Sequence, residues 1–323
     1  MGKVEVIPDM ISPLEIEYEQ IATRFDIDYG ISWVLMNPKS VPCFNQALLR
    51  ELKQYNQSIE YCGGMIWKND EFHAVRYMVY ASQVPGVFNL GGQLALFREL
   101  IRKRDRQALE HYAKMCIDAM EARIRHYNLP VITISLVQGD ALGGGFEAAL
   151  TSDVIIAERS SKMGFPEILF NLFPGMGAYS FIARKIGHVQ AEKLILSGKL
   201  YSAEELHEMG LVDVLVEDGE GEEAVTSYAR RQERYSNGFI AVQKAKHRFN
   251  PVTYQELMDI AAIWVDTALQ LGEKDLKVMD RFVRSQQKLF ENGEPAQPSI
   301  LIPQEPRMVL AYSNPTENCL LPT

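Results

Sequence analysis

The sequence lacks any apolar run close to the ~20 residues that a membrane span requires, and its first residues, MGKVEVIPDM, lack the longer apolar stretch of a secretory leader. A cytoplasmic setting is the expectation. Cysteine is sparse: Cys43, Cys62, Cys116 and Cys319 stand at wide, unpatterned intervals, which speaks against both a disulfide framework and a zinc knuckle. The six histidines, His73, His111, His126, His188, His207 and His247, show neither HExxH nor any paired ligand spacing. Each reads by itself as a surface or packing residue, so no metal is expected. There is no GxSxG elbow, which argues against a serine hydrolase. Positive charge is in deficit, with a net charge of −9, and that disfavours nucleic acid or an anionic membrane as a partner, because both need a basic footprint.

What is present is ordinary for an enzyme with a large core: 323 residues, 47% of them hydrophobic. From Ile16 to Asn37 the pattern alternates and breaks at Tyr29 and Gly30, which reads as two antiparallel strands. Helical spacing of Leu48, Leu49 and Leu52 follows within the stretch from Pro42 to Tyr55. A strand, a glycine-bearing loop and a helix then recur. VRYMVYAS leads through PGVFNLGG to LALFRELI, VITISLVQG leads through ALGGG to FEAALTS, and DVIIAE leads through a turn at MGFPE to a loop and helix ending in AYSFIARKI. Ser202 and Glu205 make a capping box for a short helix that stops at Gly210, before a last strand, LVDVLV. This rhythm predicts an α/β fold with its glycines gathered at one end.

Beyond Pro251 the pattern is helical, with Leu257, Ile260, Ala261, Trp264, Ala268 and Leu271 on one face and Leu276, Met279, Phe282 and Val283 continuing it. Such a stripe reads as core or subunit interface. The expected organisation is an extension over 1–15, a core over 16–250, a helical region over 251–292 and a Pro-rich tail over 293–323. One basic run interrupts the acidic chain: Arg98, Arg102, Lys103, Arg104 and Arg106 against Glu99 and Asp105. It reads either as a solvated helix face or as a dock for an acidic carrier or phosphate-bearing ligand.

The chemistry-bearing candidates lie in the loops. FNLGGQL, with Gly91 and Gly92, and ALGGGFE, with Gly143 to Gly145, each follow a strand and precede a helix. Glycine leaves the backbone open to close approach, and a helix start has unpaired N–H donors, so two such loops brought together could hold a carbonyl oxygen that gains negative charge. The GGG run has no Lys-Ser/Thr ending and does not fit GxGxxG, so a nucleotide loop is disfavoured. Glu147 directly follows that loop in an apolar setting, although the helix dipole alone also favours a carboxylate there. Glu167, after Pro166 and between Phe165 and Ile168, is a second acid in apolar surroundings. Two such carboxyls near an anion hole would have their pKa values pushed apart, as an acid/base pair requires.

The run GDALGGGFEAALTSDVIIAERSSKMGFPEILFNLFPGMGAYS resembles the signature of the crotonase (enoyl-CoA hydratase/isomerase) superfamily, with support from MNPKSVPCFNQALLREL upstream and YSAEELHEMGLVDVLV downstream. The resemblance covers roughly residues 16 to 290. Within it, VFNLGGQLALFRELI, LFPGMGAYSF and IWVDTALQLGEKDLKVMDR are similar to diffusible signal factor synthases, bacterial enzymes that make cis-2-unsaturated fatty acid signals. The resemblance implies a spiral of β-β-α turns with a C-terminal helical region that trimerises, as a homotrimer or dimer of trimers. It implies Gly92 and Gly144 as the two N–H donors of a thioester oxyanion hole, Glu147 and Glu167 as the two catalytic glutamates, and no cofactor. Met176 and Trp264 are candidate walls for an acyl chain.

The implied substrate is a 3-hydroxyacyl group on acyl carrier protein, dehydrated to a cis-2-enoyl chain and released by thioester hydrolysis. Two other readings stand beside it: an enoyl-CoA hydratase of fatty acid metabolism acting on acyl-CoA, and a non-catalytic binding protein that engages a sensor protein. One departure is Gln93, which stands where crotonases commonly place Asp.

Overall fold

The computed structural model describes residues 12–292. The Pro-rich segment 293–323 and most of the 1–15 extension therefore lie outside the described residues. Twelve strands are described, in chain order β1 (Ile21–Asp26), β2 (Ile31–Met36), β3 (Met65–Lys68), β4 (Glu71–Ala74), β5 (Tyr77–Ser82), β6 (Val87–Asn89), β7 (Ile132–Val137), β8 (Asp140–Leu142), β9 (Val154–Glu158), β10 (Lys162–Gly164), β11 (Leu200–Ser202) and β12 (Val214–Val216). The helices are α1 (Gln46–Tyr61), α2 (Leu94–Lys103), α3 (Arg106–Ile124), α4 (Gly144–Leu150), α5 (Ala178–Ile186), α6 (His188–Ser197), α7 (Ala203–Glu208), α8 (Gly221–Gln232), α9 (Ser236–Phe249), α10 (Tyr254–Ala268) and α11 (Glu273–Asn292).

A six-stranded sheet runs β1-β2-β5-β7-β9-β12, with β1 and β2 antiparallel, as the break at Tyr29 and Gly30 predicts, and the remaining pairs parallel. Strands β2, β7 and β9 are buried at every position. That is why they read as continuous apolar runs: helices cover both faces of a parallel sheet. The main core lies on one face, and Val225, Tyr228 and Ala229 of α8 close the other.

A second sheet, β11-β10-β8-β6, positions the site. Three times the chain runs long strand, three-residue strand, then a helical turn. The long strand (β5, β7, β9) joins the large sheet and the short one (β6, β8, β10) joins the small sheet, with β6, β8 and β10 mutually parallel. The turns that leave these short strands carry Gly91–Gly92, Gly143–Gly145 and Glu167 respectively. Side by side in one small sheet, they deliver their loops to one place. The segment MGFPE is thus more than a turn: it holds the end of β10 and the start of a 3₁₀ turn, Pro166–Phe170.

The C-terminal stripe is turned onto its own chain. Leu257, Ala261, Trp264, Ala268, Leu271, Leu276, Met279 and Phe282 all belong to the main core. The basic run is the end of α2, a left-handed turn at Arg104 and the start of α3, which Asp105 caps by accepting from the Ala108 N–H. Its cations are engaged within the chain. Arg98 meets Asp280 at 2.6 Å and Arg102 meets Asp280 at 3.6 Å, while Lys103 pairs with Glu99 and Arg106 with Glu110 and Asp266. Among the described residues only Arg104 of the run has no ion pair. The run therefore ties α2 and the start of α3 to α10 and α11, which weakens its reading as a dock for an acidic carrier.

Candidate active site

The loops after β6 and β8 meet backbone to backbone. A Cβ at Gly91 would come within 2.6 Å of the Leu142 oxygen and 3.0 Å of the Gly144 nitrogen, and one at Gly144 would stand 3.6 Å from the Gly92 nitrogen. Both loops need a left-handed residue, Gly91 at φ 86° and Gly143 at φ 52°, which a side chain would strain. Asn89 fixes the first loop by accepting from the Gly91 N–H at 2.8 Å. Tyr112, from α3, fixes it again: its hydroxyl donates to the Phe44 carbonyl and accepts from the Gln93 N–H. Gln93 thus contributes its backbone, and its side chain makes no cap for α2. The N–H groups of Gly92 and Gly144 find no acceptor among the described residues.

Glu147 lies one turn into α4 and is buried. Its Oε1 accepts from the Met176 N–H at 2.7 Å and the Ala178 N–H at 2.9 Å, which anchors the PGMG loop on α4. Burial lifts its carboxyl to about 7, against the opposing pull of those N–H donors. Glu167 enters from the 3₁₀ turn. Its carboxylate occupies the space a Cβ on Gly143 would need, so glycine at 143 admits the acid as well as the turn. Its Oε2 is enclosed without a hydrogen-bond partner, although the residue as a whole is half-buried. Burial, and then the charge of Glu147, raise its carboxyl to about 8.

Both acids and both glycines line one pocket, together with Phe97, Met176 and Trp264. Of the loop glycines singled out in the sequence, Gly92 and Gly144 line this space, and Gly91, Gly143 and Gly145 shape the turns behind them. It is narrow, about 50 Å³ for the centres of water molecules, which is room for a few waters. Trp264 packs edge-on to Phe97 at 4.9 Å and leaves no room for a side chain on Gly175. Tyr112, Ala113 and Cys116 of α3 also line the pocket and were not foreseen. Nothing local in the sequence signals them, because only the packing of α3 between α1 and α10 brings them there.

The family described as enoyl-CoA hydratase/isomerase matches residues 30–292, a span that holds both glycine loops and both acids. The chain belongs to this family. Within it, rat mitochondrial methylglutaconyl-CoA hydratase is 34% identical over 178 residues, 54% of each chain. Human mitochondrial enoyl-CoA hydratase domain-containing protein 2 is 30% identical over 223 residues, 68% of this chain and 70% of that protein. The chain spans about half the length of the first curated relatives it matches. Among solved structures, DspI of Pseudomonas aeruginosa superposes with a TM-score of 0.58 at 24% identity, over 71% of this chain and 86% of that one. Enoyl-CoA hydratase from Bacillus halodurans gives 0.66 at 19% identity, over 81% and 98%. These likenesses establish the α/β crotonase fold with mixed sheets and C-terminal helices. Among the described residues no helix is long and apolar enough to cross a membrane.

Proposed function

We propose that the protein is an acyl-thioester lyase of the diffusible signal factor synthase kind: it dehydrates a 3-hydroxyacyl group on acyl carrier protein to the cis-2-enoyl thioester and then hydrolyses that thioester to release a cis-2-unsaturated fatty acid. The observation that carries this reading is the convergence on one apolar pocket of two unpaired N–H groups and two carboxyls, one held by backbone donors and one with an unpartnered oxygen. The finer specificity rests on the likeness of VFNLGGQLALFRELI, LFPGMGAYSF and IWVDTALQLGEKDLKVMDR to those synthases.

The thioester oxygen would accept from the Gly92 and Gly144 N–H groups, which stabilise the negative charge that grows there when the C2 proton leaves. Glu147, stabilised as an anion by two N–H donors, takes that proton. Glu167, whose unpartnered oxygen favours the protonated form, gives its proton to the departing C3 hydroxyl, and water forms. The pair has then exchanged roles. In hydrolysis Glu167, now ionised, takes a proton from water as it attacks the carbonyl, and Glu147 returns its proton to the leaving thiolate, which restores the starting state. An acyl chain needs more room than the pocket offers, and Met176, unbranched and flexible, is the wall best suited to move.

Incubation with 3-hydroxydodecanoyl carrier protein tests the reading, with free cis-2-dodecenoic acid as the expected product. No free acid, together with efficient hydration of crotonyl-CoA, would replace it with the second reading. That second reading, an enoyl-CoA hydratase, is favoured by the names of the curated relatives.

A further inference from the structure

Away from the pocket, three residues that show no ligand spacing in sequence are gathered by the fold. His126 follows α3, Asp153 precedes β9 and His247 lies on α9; one ligand atom from each lies within 4.8 Å of the others. We propose that His126, Asp153 and His247 form a binding site for a divalent transition metal, zinc above all, that clasps α9 to the core.

The carboxylate is held in place for such a role. Asp153 Oδ2 accepts from the Thr133 N–H at 2.9 Å and the Thr133 hydroxyl at 3.0 Å, leaving Oδ1 facing His126 Nε2 at 2.9 Å. Two ligands of a tetrahedral zinc, each ~2.0–2.1 Å from the ion, stand about 3.3 Å apart, so a small relaxation admits the metal. Outer-shell anchoring of a ligating carboxylate is the arrangement metal sites rely on. His126 is held by an unusual backbone, three consecutive left-handed residues without a glycine: His126 at φ 52°, Tyr127 at 54° and Asn128 at 50°. Such strain persists only where the surroundings impose it, and here the Tyr127 hydroxyl donates to Asn56 Oδ1 at 2.9 Å.

The third ligand is waiting for a partner. Nε2 of His247 is enclosed by protein and makes no hydrogen bond, and its ring meets that of His126 edge-on with centroids 4.1 Å apart. Two imidazoles and one carboxylate suit zinc, nickel or ferrous iron rather than calcium or magnesium, which prefer oxygen alone. The three residues line a pocket with Thr151 and Ser152, which leaves a side from which water could complete the coordination. Of the cations that line that pocket, two are engaged and the third, Lys246, is open to solvent as well. Arg184 pairs with Glu256 at 2.8 Å, Lys185 pairs with Asp213 at 3.0 Å, and Lys246 is exposed. The helix gains most from such a clasp, since among its described side chains α9 buries none fully.

The test is zinc uptake by the full chain, measured by elemental analysis after equilibrium dialysis, with thermal unfolding followed in parallel. One zinc per chain and a rise in unfolding temperature are expected. His126→Ala and His247→Ala should each weaken zinc binding by at least about 10-fold and abolish the thermal shift, whereas His73→Ala should change neither. His247→Gln, which keeps the side-chain volume, serves if the alanine variant does not fold. Uptake equal in the wild type and both cluster variants, or none by the folded wild type, overturns the proposal. Neither result bears on the thioester chemistry.

Discussion

Two buried charge centres in this protein are built in opposite ways. Arg123 of α3, wholly buried, spreads its guanidinium over the Met78 and Ile134 carbonyls at 3.4 and 3.1 Å, the hydroxyls of Ser152 and Thr151, and the face of Tyr80 at 3.7 Å. Its donors are supplied with acceptors, and the centre locks β5, β7 and α3 together. Across α4, Glu167 keeps an enclosed oxygen with no partner, and Glu147 receives N–H donors on one oxygen only. The difference is between charge used as a fastener and charge left short of partners: a buried ion given its full complement is fixed in place, and a buried carboxyl denied it binds its proton more tightly, which brings its titration toward neutral pH.

The largest effect that would sharpen this contrast is on turnover. Glu147→Gln and Glu167→Gln should each lower kcat by about 10²–10⁴ while leaving thermal unfolding near the wild-type value, read by product formation and circular dichroism. Glutamine is the informative choice at 147, because its oxygen can still accept from the Met176 and Ala178 N–H groups. Retained turnover in both variants would erase the distinction. Next comes Arg123→Met, which strips the guanidinium donors from buried acceptors and should cost about 3 kcal/mol or more in denaturant unfolding. A variant as stable as the wild type would show that the fastener holds nothing.

The smallest effect is in the pH dependence of stability. Both carboxyls bind protons more tightly in the folded protein than in the unfolded chain, so their contribution is fully present below the ordinary glutamate range. It falls as pH rises toward about 7 for Glu147 and about 8 for Glu167. The unfolding temperature should therefore decline between pH 5 and 8, as set by those shifts, and Glu167→Gln should flatten that decline. An identical slope in the variant would mean that Glu167 is not held protonated.

The glycine loops, both acids and the repeated strand-loop-helix order were legible in the sequence, because each is a local pattern. The small sheet was not: β6, β8, β10 and β11 are three residues long, too short to show an alternating face. Helix α3 was missed for another reason. It is packed on several sides, and its buried set includes Arg123, so no clean apolar stripe marks it. The histidines were judged one by one, and only the fold shows that His126 and His247 are neighbours. Charge runs mislead in the same way: the segment from Arg98 to Arg106 is basic in one dimension and largely neutralised in three.

Trp264 reaches the pocket from α10, 97 residues past Glu167 in the sequence. The pocket is thus walled by parts of the polypeptide far apart in sequence, joined by Arg98, Arg106 and their carboxylate mates. Burial is what lifts both carboxyls toward neutral pH, so their altered acidity belongs to the folded chain and to neither glutamate in its own short segment.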